Sequence, residues 1–223
     1  MLLPKMKNIY KNIQNSILND EKLLAVLIDP DKFPVDNVAP FVEKVNQSVA
    51  THIFVGGSEV DESVTEKLVS EIKNLTDLPV IIFPGDVSQI TQKADALLFL
   101  SLISGRNPDY LIGKQVEAVS KLRQTNLEVI PTGYILIENG KEASVQKVTA
   151  TTPMLRNNIQ NIVDTAKAGE LLGMKLIYLE AGSGALHPIT EDIISSVKQE
   201  SNPDYAEHSF SKANEIESKR TKK

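Results

Sequence analysis

The chain has no cysteine at all. Disulfides, thiolate metal sites and thiol nucleophiles are therefore excluded, and nothing ties the protein to an oxidising compartment. It also has no apolar run approaching the ~18 residues needed to span a bilayer. Its first residues, MLLPKMKNIYKNIQNSI, are too polar for the core of a secretory signal. Positive charge is in deficit: 24 Lys and Arg stand against 29 Asp and Glu, a formal net charge of −5. That balance argues against broad nucleic-acid binding, although it leaves room for a local basic patch. A cytoplasmic protein is the expectation. What is present is ordinary for one large globular domain or two small ones: 223 residues, 41% hydrophobic and 24% charged.

The most informative stretch is LLAVLIDPDK, residues 23–32. A continuous apolar run bounded by a turn signal reads as a strand buried on both faces. Pro30 cannot donate a ladder hydrogen bond, so the strand should stop before it. Two carboxylates, Asp29 and Asp31, and the Lys32 ammonium then stand at its C-terminal end, where parallel α/β proteins bind ligands. The competing explanation is a solvated turn in which Asp29 caps the next helix.

The same alternation repeats along the chain. Helical spacing marks residues 6–18, 35–49, 60–75, 108–122, 157–172 and 190–200; buried strands are expected at 23–28, 51–55, 79–83, 96–103, 127–137 and 175–179. A bend or bulge is expected where Pro131-Thr132-Gly133 interrupts the fifth strand. Gly173 should stop the long helix before the sixth, and Thr190 should cap the last helix. About six βα units in this order demand a parallel sheet with right-handed crossovers. Small and polar residues follow the strands: Gly56-Gly57-Ser58, Pro84-Gly85-Asp86, Ser104-Gly105-Arg106-Asn107 and Glu180-Ala181-Gly182-Ser183-Gly184. Near Asn202 the composition changes abruptly. Residues 203–223 are polar and scattered with charge, and are expected to be a disordered or weakly helical tail behind a domain of residues 1–202.

Five motifs in order, IDPDK, FVGGSEV, SLISGRNPDYLIGKQ, PTGYILIENG and YLEAGSGA, resemble the geranylgeranylglyceryl phosphate synthase family in its bacterial, Bacteroidetes-like form. Each alone is weak, but their order and spacing match across residues 23–200. The resemblance implies a modified (βα)8 TIM barrel, an α/β fold. It implies transfer of a prenyl group from a prenyl diphosphate, geranylgeranyl diphosphate or similar, to the 3-hydroxyl of sn-glycerol 1-phosphate. Pyrophosphate leaves and Mg2+ is required. It also implies a homo-oligomer, no nucleic-acid partner, and a lipid product compatible with peripheral membrane contact. The family's metal positions fall on Asp29 and Ser58. Its acidic residue at the sixth strand falls on Glu180, either general base or orienter of the glycerol hydroxyl. Its glycerol phosphate segment falls on Tyr178, Leu179, Glu180, Ala181, Gly182, Ser183 and Gly184. Glycines there let backbone N–H groups approach an anion. Lys32 and Arg106 are candidate diphosphate partners, though for exposed basic residues at helix starts a solvated role is favoured. Tyr134 faces either ligand or core. A sugar-phosphate isomerase barrel is disfavoured because its motifs differ.

One departure stands out. The family's glycine-rich phosphate loops after strands seven and eight, a GGGI type and a GN type, have no counterpart in this sequence. Read one base later, the codons of Asn202–Ser209 can encode Ile-Pro-Ile-Met-Pro-Ser-Ile-Arg, which resembles a seventh strand. A frameshift near Asn202 is therefore expected, with the alternative that the chain is an inactive remnant associating at most with full-length subunits.

Overall fold

The structure is a computed structural model that describes residues 8–57, 62–200 and 206–208. Seven strands form one all-parallel sheet in sequence order: β1 (Ala25–Ile28), β2 (His52–Val55), β3 (Val80–Ile82), β4 (Ala96–Ser101), β5 (Glu128–Leu136), β6 (Leu176–Glu180) and β7 (Ala206–His208). The helices are α1 (Ile9–Leu18), α2 (Val38–Asn46), α3 (Glu62–Lys73), α4 (Lys114–Leu122), α5 (Ser144–Thr149), α6 (Ile159–Leu171) and α7 (Glu191–Glu200). A flat sheet would hold the ends of β1 and β6 about 24 Å apart, five strand spacings. Asp29 after β1 and Glu180 of β6 nevertheless line one cavity, so the sheet curls into a half-barrel.

Alternate strand residues serve two layers. Ile53 and Val55 of β2 point outward, with Val80 and Ile82 of β3, onto the apolar faces of α2 and α3. Phe54, Ile81, Ala96, Leu98 and Ile130 point inward. On the far side, Ile135, Ile177 and Leu179 pack outward against α6 and α7. Helix α1 does not belong to the outer ring. Its Ile9 and Ile13 join the inner layer, and the Glu128 carboxylate at the start of β5 accepts from the Ile9 and Tyr10 N–H groups at 2.5 and 2.9 Å. A carboxylate at a helix N-terminus satisfies donors that otherwise lack partners. Helix α1 thus plugs the N-terminal mouth of the half-barrel.

Two expectations need correction. Of the bend or bulge expected at Pro131-Thr132-Gly133, the bulge is absent: register runs unbroken from Ala96↔Glu128 to Ser101↔Gly133. The Pro131 carbonyl accepts from Lys175 N at 2.7 Å, just before β6 begins. The missing proline N–H therefore falls where no ladder bond is available to lose. Gly133 makes room for side chains: a Cβ there would lie 2.8 Å from the terminal methyl of Ile103 and 3.0 Å from that of Ile177, both of which would have to shift. The second correction is β7. Three residues of the tail pair in parallel with Leu176–Tyr178 of β6, so the segment beyond Asn202 does add a strand. The rest of the tail lies outside the described residues. The expected helix stop is present, with Gly173 at φ +92°.

Candidate active site

The C-terminal ends of β1 to β6 open toward a cavity of about 420 Å3. Its polar end is built by β1 and β6. The Asp29 carboxylate accepts from Lys32 Nζ at 2.5 Å and from Asp31 N at 3.3 Å. It lies against Gly57, where a Cβ would come within 2.4 Å of Oδ1, so the bare backbone after β2 makes room for it. Gly57 is fixed by Gln89, whose buried side-chain amide donates to the Gly57 carbonyl at 2.7 Å and accepts from the Gly57 and Gly85 N–H groups at 3.3 Å each. One amide therefore locks the loops after β2 and β3 together beneath the carboxylate.

Across the cavity, Glu180 Oε1 accepts from Gly182 N at 2.5 Å, and its carboxylate also takes the Tyr178 hydroxyl. The positive φ of Gly182, +91°, turns the chain back so that its N–H meets the carboxylate. Tyr134 and Tyr178 stack at 5.5 Å, and Phe83 meets Tyr178 edge-on at 5.0 Å. These rings form an apolar floor. Burial, followed by the Glu180 charge, pushes both tyrosine hydroxyls well above their ordinary range. They stay protonated, and the Tyr178 O–H donates to Glu180.

The apolar end opens between β4 and α4. The crossover from β3 to β4 is a single 3-10 turn, Val87–Gln89, instead of a helix. The missing helix leaves a groove lined by Val87, Ile90, Leu97, Phe99 and Ala118. Lys114 spans it to reach Asp86 Oδ2 at 2.6 Å. Burial raises the Asp86 carboxyl, but the Lys114 ammonium and the Ser88 N–H outweigh it and hold the group below its usual value. The bond to Asp86 raises Lys114 in turn.

Of the residues singled out in sequence, Asp29, Lys32, Tyr134, Glu180, Gly182 and Ser183 share this cavity. Tyr178 is buried in the aromatic floor. Leu179 packs outward against α6 and α7, so its side chain does not face the cavity. The Ala181 carbonyl accepts from Asn139, and Gly184 sits beside the Lys141 ammonium. Arg106 bonds the Gly105 carbonyl at 2.6 Å and does not reach the site. Ser58 lies outside the described residues. Sequence reasoning missed Gln89, Lys114 and the role of Asp86. Their partners are far away in the chain, and no local pattern marks them.

Among the described residues no cluster of three or more His, Cys, Asp or Glu side chains suits a metal. The donor set does fit Mg2+, which commonly takes one or two protein carboxylates and completes its shell with water and substrate phosphates. Asp29, partly exposed at the cavity wall, is such a carboxylate. Among the described residues no helix is long and apolar enough to cross a membrane.

The comparisons agree with this geometry. A model of the PcrB family matches residues 15–204, ending beside the change in composition. A geranylgeranylglyceryl phosphate synthase of Flavobacterium johnsoniae is 55% identical over 194 residues, 87% of this chain and 80% of the relative. That of Methanosphaera stadtmanae is 38% identical over 86% of this chain and 78% of the relative. The crystal structure of (S)-3-O-geranylgeranylglyceryl phosphate synthase from Thermoplasma acidophilum, in complex with sn-glycerol-1-phosphate, superposes with a TM-score of 0.84 at 32% identity, covering 91% of this chain and 80% of that one. The half-barrel, its carboxylates at the C-terminal ends of β1 and β6 and these relatives converge: the chain belongs to the PcrB family, alongside the geranylgeranylglyceryl phosphate synthases.

Proposed function

We propose that the protein joins a prenyl group to sn-glycerol 1-phosphate, forming an ether bond at the 3-hydroxyl and releasing pyrophosphate. The observation that carries this reading is the two-ended cavity. A polar end with carboxylates on opposite walls continues into an apolar groove left by the missing helix between β3 and β4. A polyprenyl tail suits the groove, and a charged head suits the polar end.

Asp29 and Ser58 would hold Mg2+, with water and substrate phosphate oxygens completing its shell. Mg2+ bound there supplies charge neutralisation for the departing pyrophosphate. Glu180 stands opposite. Its carboxylate keeps acceptor capacity beyond the Gly182 N–H and the Tyr178 hydroxyl, and it takes or orients the proton of the attacking glycerol hydroxyl. The turn Ala181-Gly182-Ser183-Gly184 brings backbone beside Lys141, a setting for the glycerol phosphate. The aromatic floor excludes water beneath the reacting atoms. Residues 1–202 are the proposed catalytic domain, acting in the cytoplasm, and no site residue is proposed from residues 203–223.

The test is direct. Purified protein is incubated with sn-glycerol 1-phosphate, Mg2+ and labelled prenyl diphosphate, and butanol-extractable ether product is expected. Absence of product, with a relative active in parallel, identifies the chain as a non-catalytic remnant.

A further inference from the structure

The groove beside α4 has one structural problem. Where an outer helix would cover it, the β3–β4 crossover offers only the Val87–Gln89 turn. Two lysines of α4 reach across to that turn. Lys114 Nζ donates to Asp86 Oδ2 at 2.6 Å, and Lys121 Nζ donates to the Ser88 carbonyl at 3.0 Å. Seven residues apart, they stand on one face of α4 about 10 Å from each other along its axis. Both anchorages are firm. Gln115 of α4 donates its side-chain amide to the Leu100 carbonyl of β4, fixing the helix from below. Asp86 also accepts from Ser88 N at 3.1 Å, which stiffens the turn. The Lys114 side chain lines the cavity. A lysine held at its head lays four methylenes along the surface beneath it.

We propose that Lys114 and Lys121, tied to Asp86 and to the Ser88 carbonyl, are straps that close the outer side of the apolar groove and govern affinity for long prenyl chains. This rests on prenyl transfer as proposed above and deepens it. Both are positioning residues: Lys114 lines the groove itself, and Lys121, outside the lining, pins the Ser88 turn that borders it. The rival role for Lys114 is counter-charge to the diphosphate. The two roles differ in sign at Asp86. If Lys114 serves the diphosphate, Asp86→Asn frees the ammonium and tightens binding. If Lys114 is a strap, Asp86→Asn unpins it and weakens binding.

The experiment measures dissociation constants of the non-reactive geranyl and geranylgeranyl S-thiolodiphosphates by calorimetry, for the full chain and for Lys114→Ala, Lys121→Ala, Lys114→Arg and Asp86→Asn. Steady-state KM for sn-glycerol 1-phosphate is measured alongside. Lys114→Ala and Asp86→Asn are expected to weaken the geranylgeranyl analogue by about tenfold and the geranyl analogue by less than about twofold. Lys121→Ala should act in the same direction, and Lys114→Arg should restore binding because its guanidinium still reaches Asp86. The KM for sn-glycerol 1-phosphate should not move. Equal losses at both chain lengths, or tighter binding in Asp86→Asn, overturn the straps in favour of a diphosphate cation. No change in any variant reduces them to surface ion pairs without consequence. A wild-type chain that binds neither analogue overturns prenyl transfer itself, an outcome distinct from both.

Discussion

The two ends of the half-barrel use the same kinds of side chain for opposite purposes. At the N-terminal end, carboxylates tie separate elements of the fold together, away from the cavity. Glu128 holds two N–H groups of α1, and Asp95 takes Lys73 Nζ at 2.7 Å together with Val80 N at 2.8 Å. At the C-terminal end, Glu180 holds one N–H and one hydroxyl, and Asp29 is met by the Asp31 N–H and by the exposed Lys32 ammonium, both from its own turn. The floor there is aromatic and glycines replace side chains at the rim. The difference follows from what each end must do. Carboxylates that join distant elements away from the cavity stabilise the fold, whereas Asp29 and Glu180 line the cavity and keep acceptor capacity facing a ligand.

The largest expected effect lies at the C-terminal end. Glu180→Gln should lower kcat by about 10²–10⁴-fold, the range of general base catalysis, and leave the melting temperature nearly unchanged. A change confined to the KM for glycerol phosphate would instead make Glu180 a binding residue. Asp29→Asn should likewise lower turnover and raise the Mg2+ concentration needed, with the fold intact. Near-normal rates at low Mg2+ in that variant would refute the metal assignment.

The N-terminal end should answer through stability. His52, buried at the start of β2 and bonded to the Thr51 hydroxyl at 2.8 Å, has its pKa lowered by burial from 6.5 to about 4. The unfolded chain therefore binds the proton first as pH falls. Stability is fully present above about pH 6.5 and is lost progressively down to about pH 4, by roughly 3 kcal/mol from this group. Urea midpoints measured across that window should show the loss, and His52→Gln should flatten the slope. Asp95→Asn comes next in size. It leaves the largely buried Lys73 without its counter-charge and should cost about 1–3 kcal/mol, with kcat for prenyl transfer unchanged. A fall in kcat matching the loss in stability would dissolve the division between the two ends.

The half-barrel was legible because its signals are local. Apolar runs such as LLAVLI and LIYLE, each followed by glycine or proline, mark strands whatever their partners. The position of Asp29 and Glu180 at strand ends was legible for the same reason, while their proposed roles came from the resemblance alone. What stayed hidden depends on contacts remote in sequence. Gln89 works through Gly57, 32 positions away, and Lys114 through Asp86, 28 positions away. Nothing in FPGDVSQI or YLIGKQ announces either bond. The missing bulge at Pro131 was misread because its harmlessness depends on where β6 begins. Helix α5 escaped notice because six residues are too few to show a period.

The smallest expected effect concerns β7, which also separates the two ends. Among the described residues it pairs with Leu176, Ile177 and Tyr178, in the lower part of β6. Three backbone pairings contribute about 0.5–1.5 kcal/mol each, and ordering each residue's backbone opposes them by about 1–2 kcal/mol. The balance is small. Removing residues 203–223 should therefore lower the melting temperature by no more than about 2–4 °C, against the neutral outcome that the polar composition of the tail suggests. Hydrogen exchange gives the sharper reading: β6 amides directed toward β7 should lose protection, while the Gly182 N–H held by Glu180 should keep it. Unchanged exchange along β6 would mean that the strand contributes nothing, and loss of cooperative unfolding would mean that it closes far more of the core than three residues of pairing imply.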